Sequence, residues 1–249
     1  MLQVVCIKQV ADTETRVKIA PDGKSLDPAG VTWILNPYDE FAIEQALAVR
    51  EKQGAGEVVV VSLGALSVAA TLRNALAMGA DRAIHLRADR TLDSLNVARA
   101  LAGEIAPLEP DLVWLGRQAV DDDAAQVGPM LSELLELPCV TVVGKFELEG
   151  SRAVAEREIE GGREVVEVTL PAIFTTDKGL NQPSYASLKG IMAAKKKPIE
   201  EKQVTPGEPA LELVALELPP LRGAGRIVGQ GLAAVPELIR VLREEAKVI

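Results

Sequence analysis

The first two-thirds of the chain alternates short apolar runs with longer stretches in which apolar residues recur at helical spacing. The apolar runs have the length of β-strands and cover residues 2–8, 58–63, 82–86 and 112–116. Between them, amphipathic stretches begin near Asp39, Ser67, Thr91 and Asp123. Parallel strands need a crossover helix between them, so this alternation predicts an α/β fold with a doubly wound, mostly parallel, Rossmann-like sheet.

Two of the helix starts carry local capping signals. Pro37 restrains Asn36 to an extended conformation, and Asp39 is then placed to cap the first helix. Ser67 is expected to cap the second helix, which Gly79 ends. The sequence therefore predicts that both side chains serve their own helices.

The pattern changes after Pro138. Residues 139–148, 152–158 and 164–170 are β-rich runs joined by the turn segments 149–150 and 160–162, which predicts an antiparallel hairpin region. Residues 171–176 read as a further strand. From Asp177 the periodicity is lost, and a Pro-containing tail leads to a last amphipathic helix near residues 236–247.

This organisation predicts an α/β domain over residues 1–200 and an extended C-terminal arm over residues 201–249 that ends in a helix. A long irregular stretch is unusual in a compact monomer. The arm is therefore expected to pack on another protein.

Composition narrows the class of protein. Hydrophobic residues make up 48% of the chain and charged residues 25%, as in a globular protein. Lys+Arg 27 against Asp+Glu 36 gives a net charge of −9, which argues against binding nucleic acid or an anionic membrane. The run from Lys195 to Lys197 is accordingly interpreted as a solvated face.

Chemistry that depends on histidine or cysteine has little support. The single His85 excludes sites that need several histidines, and Cys6 and Cys139 form no metal or disulfide spacing. The N-terminal apolar run is too short for a signal peptide, and no stretch has the length of a membrane span. We therefore expect a cytoplasmic protein without membrane insertion.

The densest polar segment, residues 116–128, follows an apolar strand and opens a helix. In an open α/β sheet such a loop lies at the carboxyl edge, where ligands bind, and a helix N-terminus suits a phosphate. The alternative is that the acidic run Asp121–Asp123 only caps the helix and favours its dipole; from the residues alone both interpretations stay open. A metal held by the three aspartates is disfavoured because adjacent residues rarely converge on one ion.

Three other loops follow strand-like runs and could converge with this segment. They lie at residues 6–8, 36–39 and 62–64, and four such loops would suffice for a mononucleotide pocket. The chain has no Gly-x-x-x-x-Gly-Lys-Ser/Thr loop and no Gly-x-Ser-x-Gly elbow, so a P-loop nucleotidase and an α/β-hydrolase are excluded.

At the same segments the chain resembles the electron-transfer flavoprotein β family. The matching motifs are residues 36–40 (Asn-Pro-Tyr-Asp-Glu), 75–82, 116–128, 156–158 followed by Gly161 and Gly162, and most tellingly 180–197. The resemblance implies an adenine-nucleotide-binding domain that holds a structural AMP. It also implies a heterodimer with a larger α subunit, which holds most of a shared FAD.

Carried over by position, the resemblance implies the following AMP contacts: Cys6, Asn36, Asp39, Leu63, Gly116, Gln118, Ala119, Asp121, Asp122, Asp123, Gln126 and Val127. Tyr38 and Glu158 match positions near the flavin. Thr13 departs from the family, because some members have a tyrosine there beside the flavin.

The segment 184–193 resembles the family's recognition loop for partner dehydrogenases. Tyr185, Leu188, Ile191 and Met192 are its expected docking side chains, with Leu188 as the anchor. From periodicity alone, Leu188 would instead be an ordinary core leucine of a short helix. The resemblance implies an electron carrier, not an enzyme acting alone: it takes electrons from acyl-CoA dehydrogenases of fatty acid oxidation and other flavin dehydrogenases, and passes them to a quinone reductase.

Two alternatives are retained. Residues 124–129 look closer to a branch of the family in which a second FAD replaces AMP and the complex oxidises NADH by electron bifurcation. Asp122, where that branch tends to have glycine, favours AMP instead. The other alternative is a stand-alone nucleotide-binding module of the stress-protein kind, which would be a monomer without flavin.

Overall fold

A computed structural model describes residues 1–89, 91–220 and 224–249. It comprises two compact units, Met1–Val214 and Ala215–Ile249. The strands of the larger unit are β1 (Leu2–Cys6), β2 (Gln9–Ala11), β3 (Trp33–Leu35), β4 (Glu57–Gly64), β5 (Arg82–Arg87), β6 (Leu112–Gly116), β7 (Cys139–Glu149), β8 (Arg152–Ile159), β9 (Gly162–Thr169), β10 (Ala172–Thr176) and β11 (Ile199–Gln203). Its α-helices are α1 (Pro37–Gln53), α2 (Val68–Met78), α3 (Ser94–Ile105), α4 (Val127–Leu135) and α5 (Leu188–Ala194).

Nine of these strands form one sheet in the order β11-β5-β4-β1-β6-β10-β7-β8-β9. The strands from β11 to β7 are parallel, and β8 pairs antiparallel with both β7 and β9. Strands β2 and β3 form a separate antiparallel pair. The predicted α/β fold, a mostly parallel sheet with added antiparallel strands, is confirmed.

Helices cover both faces of the sheet. Ile43 of α1 and Leu72 of α2 pack into one buried cluster, in which Trp114 and Phe174 stack at 5.1 Å between ring centroids. Leu101 of α3, with Leu131 of α4, packs into the cluster on the other face. The strands of the parallel half are therefore buried on both sides, which explains their continuous runs of Val and Leu.

Three predictions of helix N-caps are wrong. Helix α1 begins at Pro37, and the Asp39 side chain does not cap it. Ser67 stands at the N-cap of α2 without a capping bond, because its hydroxyl donates to Gln9 Oε1 at 2.8 Å. Helix α4 begins at Val127, four residues after Asp123, and no side chain caps it, so the interpretation of the aspartates as caps is wrong. Asp39, Ser67, Asp121 and Asp122 instead bind residues that are distant in sequence.

The sequence pattern missed strand β11. This strand joins the edge of the sheet beside β5, with Glu201 opposite His85. Its residues, Ile-Glu-Glu-Lys-Gln, are mostly exposed and charged because an edge strand has only one neighbour and faces water. The domain boundary near residue 200 stays a prediction.

The smaller unit contains the short helix α6 (Val235–Arg240), which continues as a π-helical segment over Val241–Glu245. None of its described residues is buried, and several of its large apolar side chains are exposed, among them Ile227, Leu232 and Leu238. Arg240 pairs with Glu237, Glu244 and Glu245. Across the part of the chain that the structure describes, no helix combines the length and the apolar character needed to cross a bilayer.

Candidate functional site

The sheet changes its winding direction at β1. The chain passes from β1 to β4 and β5 on one side, and then returns to place β6 on the other side. In open α/β sheets the crevice at such a switch point, beyond the carboxyl ends of the strands, is the usual ligand site. Cys6 is the last residue of β1, Gly116 is the last residue of β6, and Leu63 is the second-last residue of β4. The structure thus brings the predicted strand-end segments to one edge.

Asp39 ties these segments together. Its Oδ2 accepts a hydrogen bond from the Lys8 amide at 2.7 Å, and its Oδ1 accepts one from the Gly116 amide at 3.0 Å and one from Asn36 Nδ2 at 2.9 Å. The carboxyl group is buried. Burial raises the pKa of Asp39 to about 7, although the three donors and the Lys8 charge act in the opposite direction. Asp39 therefore joins the ends of β1 and β6 to the start of α1.

Asn36 extends this connection to the loop after β6. Its Nδ2 donates to the carbonyl oxygen of Gln118 at 2.9 Å, and its Oδ1 accepts from the amide of Val120 at 3.2 Å. Asn36 itself is buried, with its backbone amide bonded to the Lys8 carbonyl at 3.0 Å. Both loop contacts are to backbone groups, so Asn36 fixes the path of the loop.

Two of the three aspartates of this loop share Lys8 as their partner, and the third binds Gln118. Lys8 Nζ donates to Asp121 Oδ1 at 2.8 Å and to Asp122 Oδ2 at 3.0 Å. Asp123 Oδ1 accepts from Gln118 Nε2 at 2.6 Å. The Lys8 ammonium occupies the point where the Asp121 and Asp122 carboxylates converge, and Asp123 turns to Gln118, so the three carboxylates leave no common centre for a metal ion. Lys8 also places a cation at the mouth of the crevice.

The residues between the acidic run and α4 form an anion-compatible backbone. Asp123 and Ala125 have φ angles of 49° and 52°, in the left-handed region. Gln126 is the N-cap of α4 and makes no side-chain capping bond. The first amides of a helix have no partner within the helix, so an uncapped N-terminus offers donors to a phosphate. Gln126 and Val127 therefore lie at an uncapped helix N-terminus, and their contact with AMP stays a prediction.

Gly116 allows the close approach of α1 and β6. A Cβ atom at this position would lie 2.4 Å from Asp39 Oδ1 and 2.7 Å from the Cβ atom of Tyr38. The Tyr38 ring lies under the Arg117 guanidinium, 5.3 Å from the ring centroid, and Arg117 also pairs with Asp177 at 2.9 Å. Tyr38, predicted near the flavin, thus stands at the rim of the same crevice.

Cys6 and Leu63 contribute the apolar part of the crevice edge. Both side chains pack with the buried cluster on the α3 and α4 face of the sheet. Burial raises the pKa of the Cys6 thiol, so it stays neutral and unreactive. Next to them, Ser62 Oγ donates to the carbonyl oxygen of Ile7 at 2.7 Å and joins β4 to β1.

The remaining predicted residues lie away from the switch point. Glu158 is exposed on β8, with its carboxylate 3.9 Å from Arg163. Tyr185, Leu188, Ile191 and Met192 lie on and before α5, with exposed fractions of 100%, 84%, 44% and 64%. The alternative that Leu188 is a core residue is therefore wrong. The exposed side chains form an apolar surface on a short helix.

Lys8 and Arg117 lie within the predicted loops at residues 6–8 and 116–128, but neither was predicted as an individual contact residue. Both directly follow a parallel strand, Lys8 two residues after β1 and Arg117 immediately after β6. A cation at the carboxyl end of a central strand is a signal that could have identified them.

A cavity of about 790 Å³ lies at the opposite, amino edge of the parallel strands, where Gly56 precedes β4 and Asp81 precedes β5. Arg50 and Lys197 also line it. Arg50 already binds Asp81 and the Gly79 carbonyl, and Lys197 binds carbonyl oxygens at the end of α2. We therefore place the candidate site at the switch point, where several polar groups converge.

Comparison with known proteins agrees with this architecture. A family model described as the electron transfer flavoprotein domain matches residues 25–206. The chain is 41% identical to the electron transfer flavoprotein subunit beta of Bacillus subtilis (strain 168), with 98% of each chain covered. It is 43% identical to the subunit of the same name from Bradyrhizobium diazoefficiens over 100% of both chains, and 41% identical to that of Homo sapiens over 89% of this chain and 90% of the human one. Near-complete coverage at such identity shows that the chain belongs to the electron-transfer flavoprotein β-subunit family.

Proposed function

We propose that this electron carrier subunit pairs with an α subunit, binds AMP at the switch point and forms one wall of the FAD site of the heterodimer. The observation that carries the nucleotide part is the convergence of Lys8, Asn36, Asp39 and Gly116 beside the uncapped N-terminus of α4. This set combines a cation, free backbone amides and a rigid polar floor, which is the donor chemistry that a nucleotide phosphate requires.

In this proposal different residues contact the phosphate and the adenosine of AMP. The amides at Gln126 and Val127 and the Lys8 ammonium hold the phosphate. Cys6 and Leu63 border the adenosine with apolar surface. Asp39, which is already bonded to three donors, fixes the pocket shape. AMP is thereby a structural ligand that is enclosed by four chain segments.

The shared FAD supplies the electron-transfer chemistry when bound, and the protein orients it and limits its contact with water. On this chain, the half-buried Tyr38 ring and the exposed Glu158 are the proposed neighbours of the flavin. The exposed apolar residues of the smaller unit support packing of the arm against the α subunit, because side chains such as Ile227 and Leu232 would otherwise remain in water. Electrons would pass from acyl-CoA dehydrogenases and other flavin dehydrogenases to a quinone reductase.

The first prediction concerns the bound nucleotides. The heterodimer, copurified without added nucleotide, is expected to release one AMP and one FAD on denaturation, as identified by mass spectrometry. Asp122 favours AMP over a second FAD, because the resemblance to the bifurcating branch would imply glycine at this position. Two FAD per heterodimer would instead establish the bifurcating alternative, and a flavin-free monomer would establish the stand-alone module.

The second prediction concerns docking on partner dehydrogenases. Leu188→Ala is expected to raise the KM of an acyl-CoA dehydrogenase for the heterodimer about tenfold, because an exposed apolar anchor that fills a partner pocket contributes disproportionately to binding. FAD content and reduction by dithionite should stay at wild-type levels.

Leu134→Ala is the matched control for this variant. Leu134 is also exposed, but it lies on α4, which covers the other face of the sheet from α2 and α5. Equal KM values for Leu188→Ala, Leu134→Ala and the wild type would refute the docking role.

A further inference from the structure

We propose that Arg73 and Lys197 are positioning residues for the docking surface, which is formed by the exposed side chains of Tyr185, Leu188, Ile191 and Met192. Arg73 caps the C-terminal end of α5, which carries this surface, and Lys197 caps the C-terminal end of α2, against which α5 packs. The inference rests on the proposed function in one respect, namely that the exposed side chains of α5 meet the dehydrogenase. It adds a mechanism by which α2 holds that surface in place.

Arg73, on α2, binds the C-terminal end of α5. Its Nη1 donates to the carbonyl oxygen of Ala194 at 2.7 Å and to that of Lys197 at 2.6 Å. The last carbonyl groups of a helix have no partner within the helix and carry the negative end of its dipole. A guanidinium group at this place satisfies both carbonyls and offsets the dipole.

Lys197 acts in the reverse direction, from the end of the α5 segment to the end of α2. Its Nζ donates to the carbonyl oxygen of Leu76 at 3.1 Å and to that of Ala80 at 2.5 Å. Burial lowers the pKa of Lys197, in keeping with an ammonium group that is partly withdrawn from water. The run of three lysines was interpreted above as a solvated face, and for Lys197 this interpretation is wrong.

The two helices also meet at backbone distance. A Cβ atom at Gly190 would lie 2.4 Å from the carbonyl oxygen of Ala77, so the crossing requires glycine on α5. At the other end of α5, Ser187 Oγ accepts from the Gly190 amide at 3.0 Å and caps the first turn. Helix α5 has seven residues, and a helix this short is unstable by itself in water. Its order therefore depends on α2.

Helix α5 itself contributes only backbone groups and small residues to these contacts. Ala194 is buried against the core, whereas Leu188 and Met192 remain exposed. The helix is thus held without using the side chains that would meet a partner. A surface ordered before docking loses less conformational entropy on binding, and this is how Arg73 and Lys197 would contribute to affinity without touching the dehydrogenase.

The test uses the complete heterodimer as electron acceptor for the flavin dehydrogenase that reduces the wild type. Arg73→Met and Lys197→Met are each expected to raise the KM for the heterodimer about tenfold and to leave kcat unchanged, because removing the capping cation takes a donor away from two carbonyl oxygens and lets α5 disorder. Hydrogen exchange of the amides in residues 188–197 should accelerate in both variants. FAD content, AMP content and reduction by dithionite should not change.

A conservative variant and a matched control distinguish a positioning role from a general effect on the stability of the fold. Lys197→Arg keeps the charge and is expected to restore the wild-type KM and exchange rates. Lys202→Met removes another cation, one that pairs with Glu104 of α3 and Glu200 of β11 and not with α2 or α5, and should leave the KM unchanged. If Arg73→Met does not assemble with the α subunit, the comparison of Lys197→Met with Lys197→Arg decides the question.

Leu188→Ala distinguishes failure of this inference from failure of the proposed function. A raised KM for Leu188→Ala with wild-type KM values for Arg73→Met and Lys197→Met would overturn the positioning role and leave docking intact. An unchanged KM for Leu188→Ala would overturn the docking surface itself. A fall in kcat together with loss of FAD in the methionine variants would show a general structural role and also overturn the inference.

Discussion

Asp39→Ala is expected to lower the free energy of unfolding by about 3 kcal/mol or more and to abolish retention of AMP. The substitution leaves the amides of Lys8 and Gly116 without their acceptor and removes one of the two acceptors of Asn36 Nδ2. Each buried polar group that loses its partner costs about 1–3 kcal/mol. The ends of β1 and β6 would then separate from the start of α1, and the pocket would lose its floor. Urea unfolding and nucleotide extraction from the copurified heterodimer measure the two effects.

Asp121→Ala provides the comparison within the same site. Asp121 is exposed and pairs with Lys8, which keeps Asp122 as a second partner. Exposed ion pairs contribute about 0–1 kcal/mol, so this variant should remain close to the wild type in stability. If Asp39→Ala and Asp121→Ala unfold at the same urea concentration, Asp39 does not join the strand ends in the way we describe.

The parallel half of the sheet could be predicted because its signals are local. Strands buried on both faces appear as continuous apolar runs, and residues 112–116 coincide with β6 for this reason. The hairpin turns at Gly150 and Gly161 were equally clear, and both glycines have φ angles in the left-handed region. The location of the site followed from topology, since strand-end loops on both sides of a switch point must face one crevice.

The role of Asp39 could not be predicted from its neighbours in sequence. Three residues after Asn36, an aspartate looks like a helix cap, yet its backbone partners are Lys8 and Gly116, at separations of 31 and 77 residues. The same holds for Asp121, whose partner Lys8 is 113 residues away. Long-range pairing overrides local capping propensity wherever a buried donor would otherwise remain unpaired.

The position of α5 was hidden from sequence reasoning for a related reason. Its periodicity is that of a short core helix, but the residue that contacts α2 most closely is Gly190, which carries no hydrophobic signal. The buried contacts of Arg73 and Lys197 are to carbonyl groups, and carbonyl groups leave no trace in a sequence. Periodicity alone did not indicate that the apolar side chains of this segment point outward, whereas the resemblance to the recognition loop did.

Gly116→Ala is expected to destabilise the fold by about 1–3 kcal/mol and to reduce the AMP content of the heterodimer severely. The added methyl group would lie 2.4 Å from Asp39 Oδ1, and 2.8 Å from the backbone carbonyl carbon of Tyr38. Backbone atoms at the start of α1 cannot move as a flexible side chain can, so overpacking has to be relieved by shifting α1 away from β6. That shift lengthens the hydrogen bond from the Gly116 amide to Asp39 and opens the floor of the crevice.

Gly144→Ala is the matched substitution, because Gly144 lies in strand β7 and a Cβ atom there meets no atom within 4 Å. Replacing a strand glycine in open space reduces the entropy of the unfolded chain, so this variant should be as stable as the wild type or slightly more stable. Thermal unfolding and nucleotide extraction of both variants provide the comparison. If Gly116→Ala keeps its full AMP content and wild-type stability, the contacts among Asp39, Tyr38 and Gly116 do not restrict the crevice between β1 and β6. The nucleotide would then have to bind elsewhere.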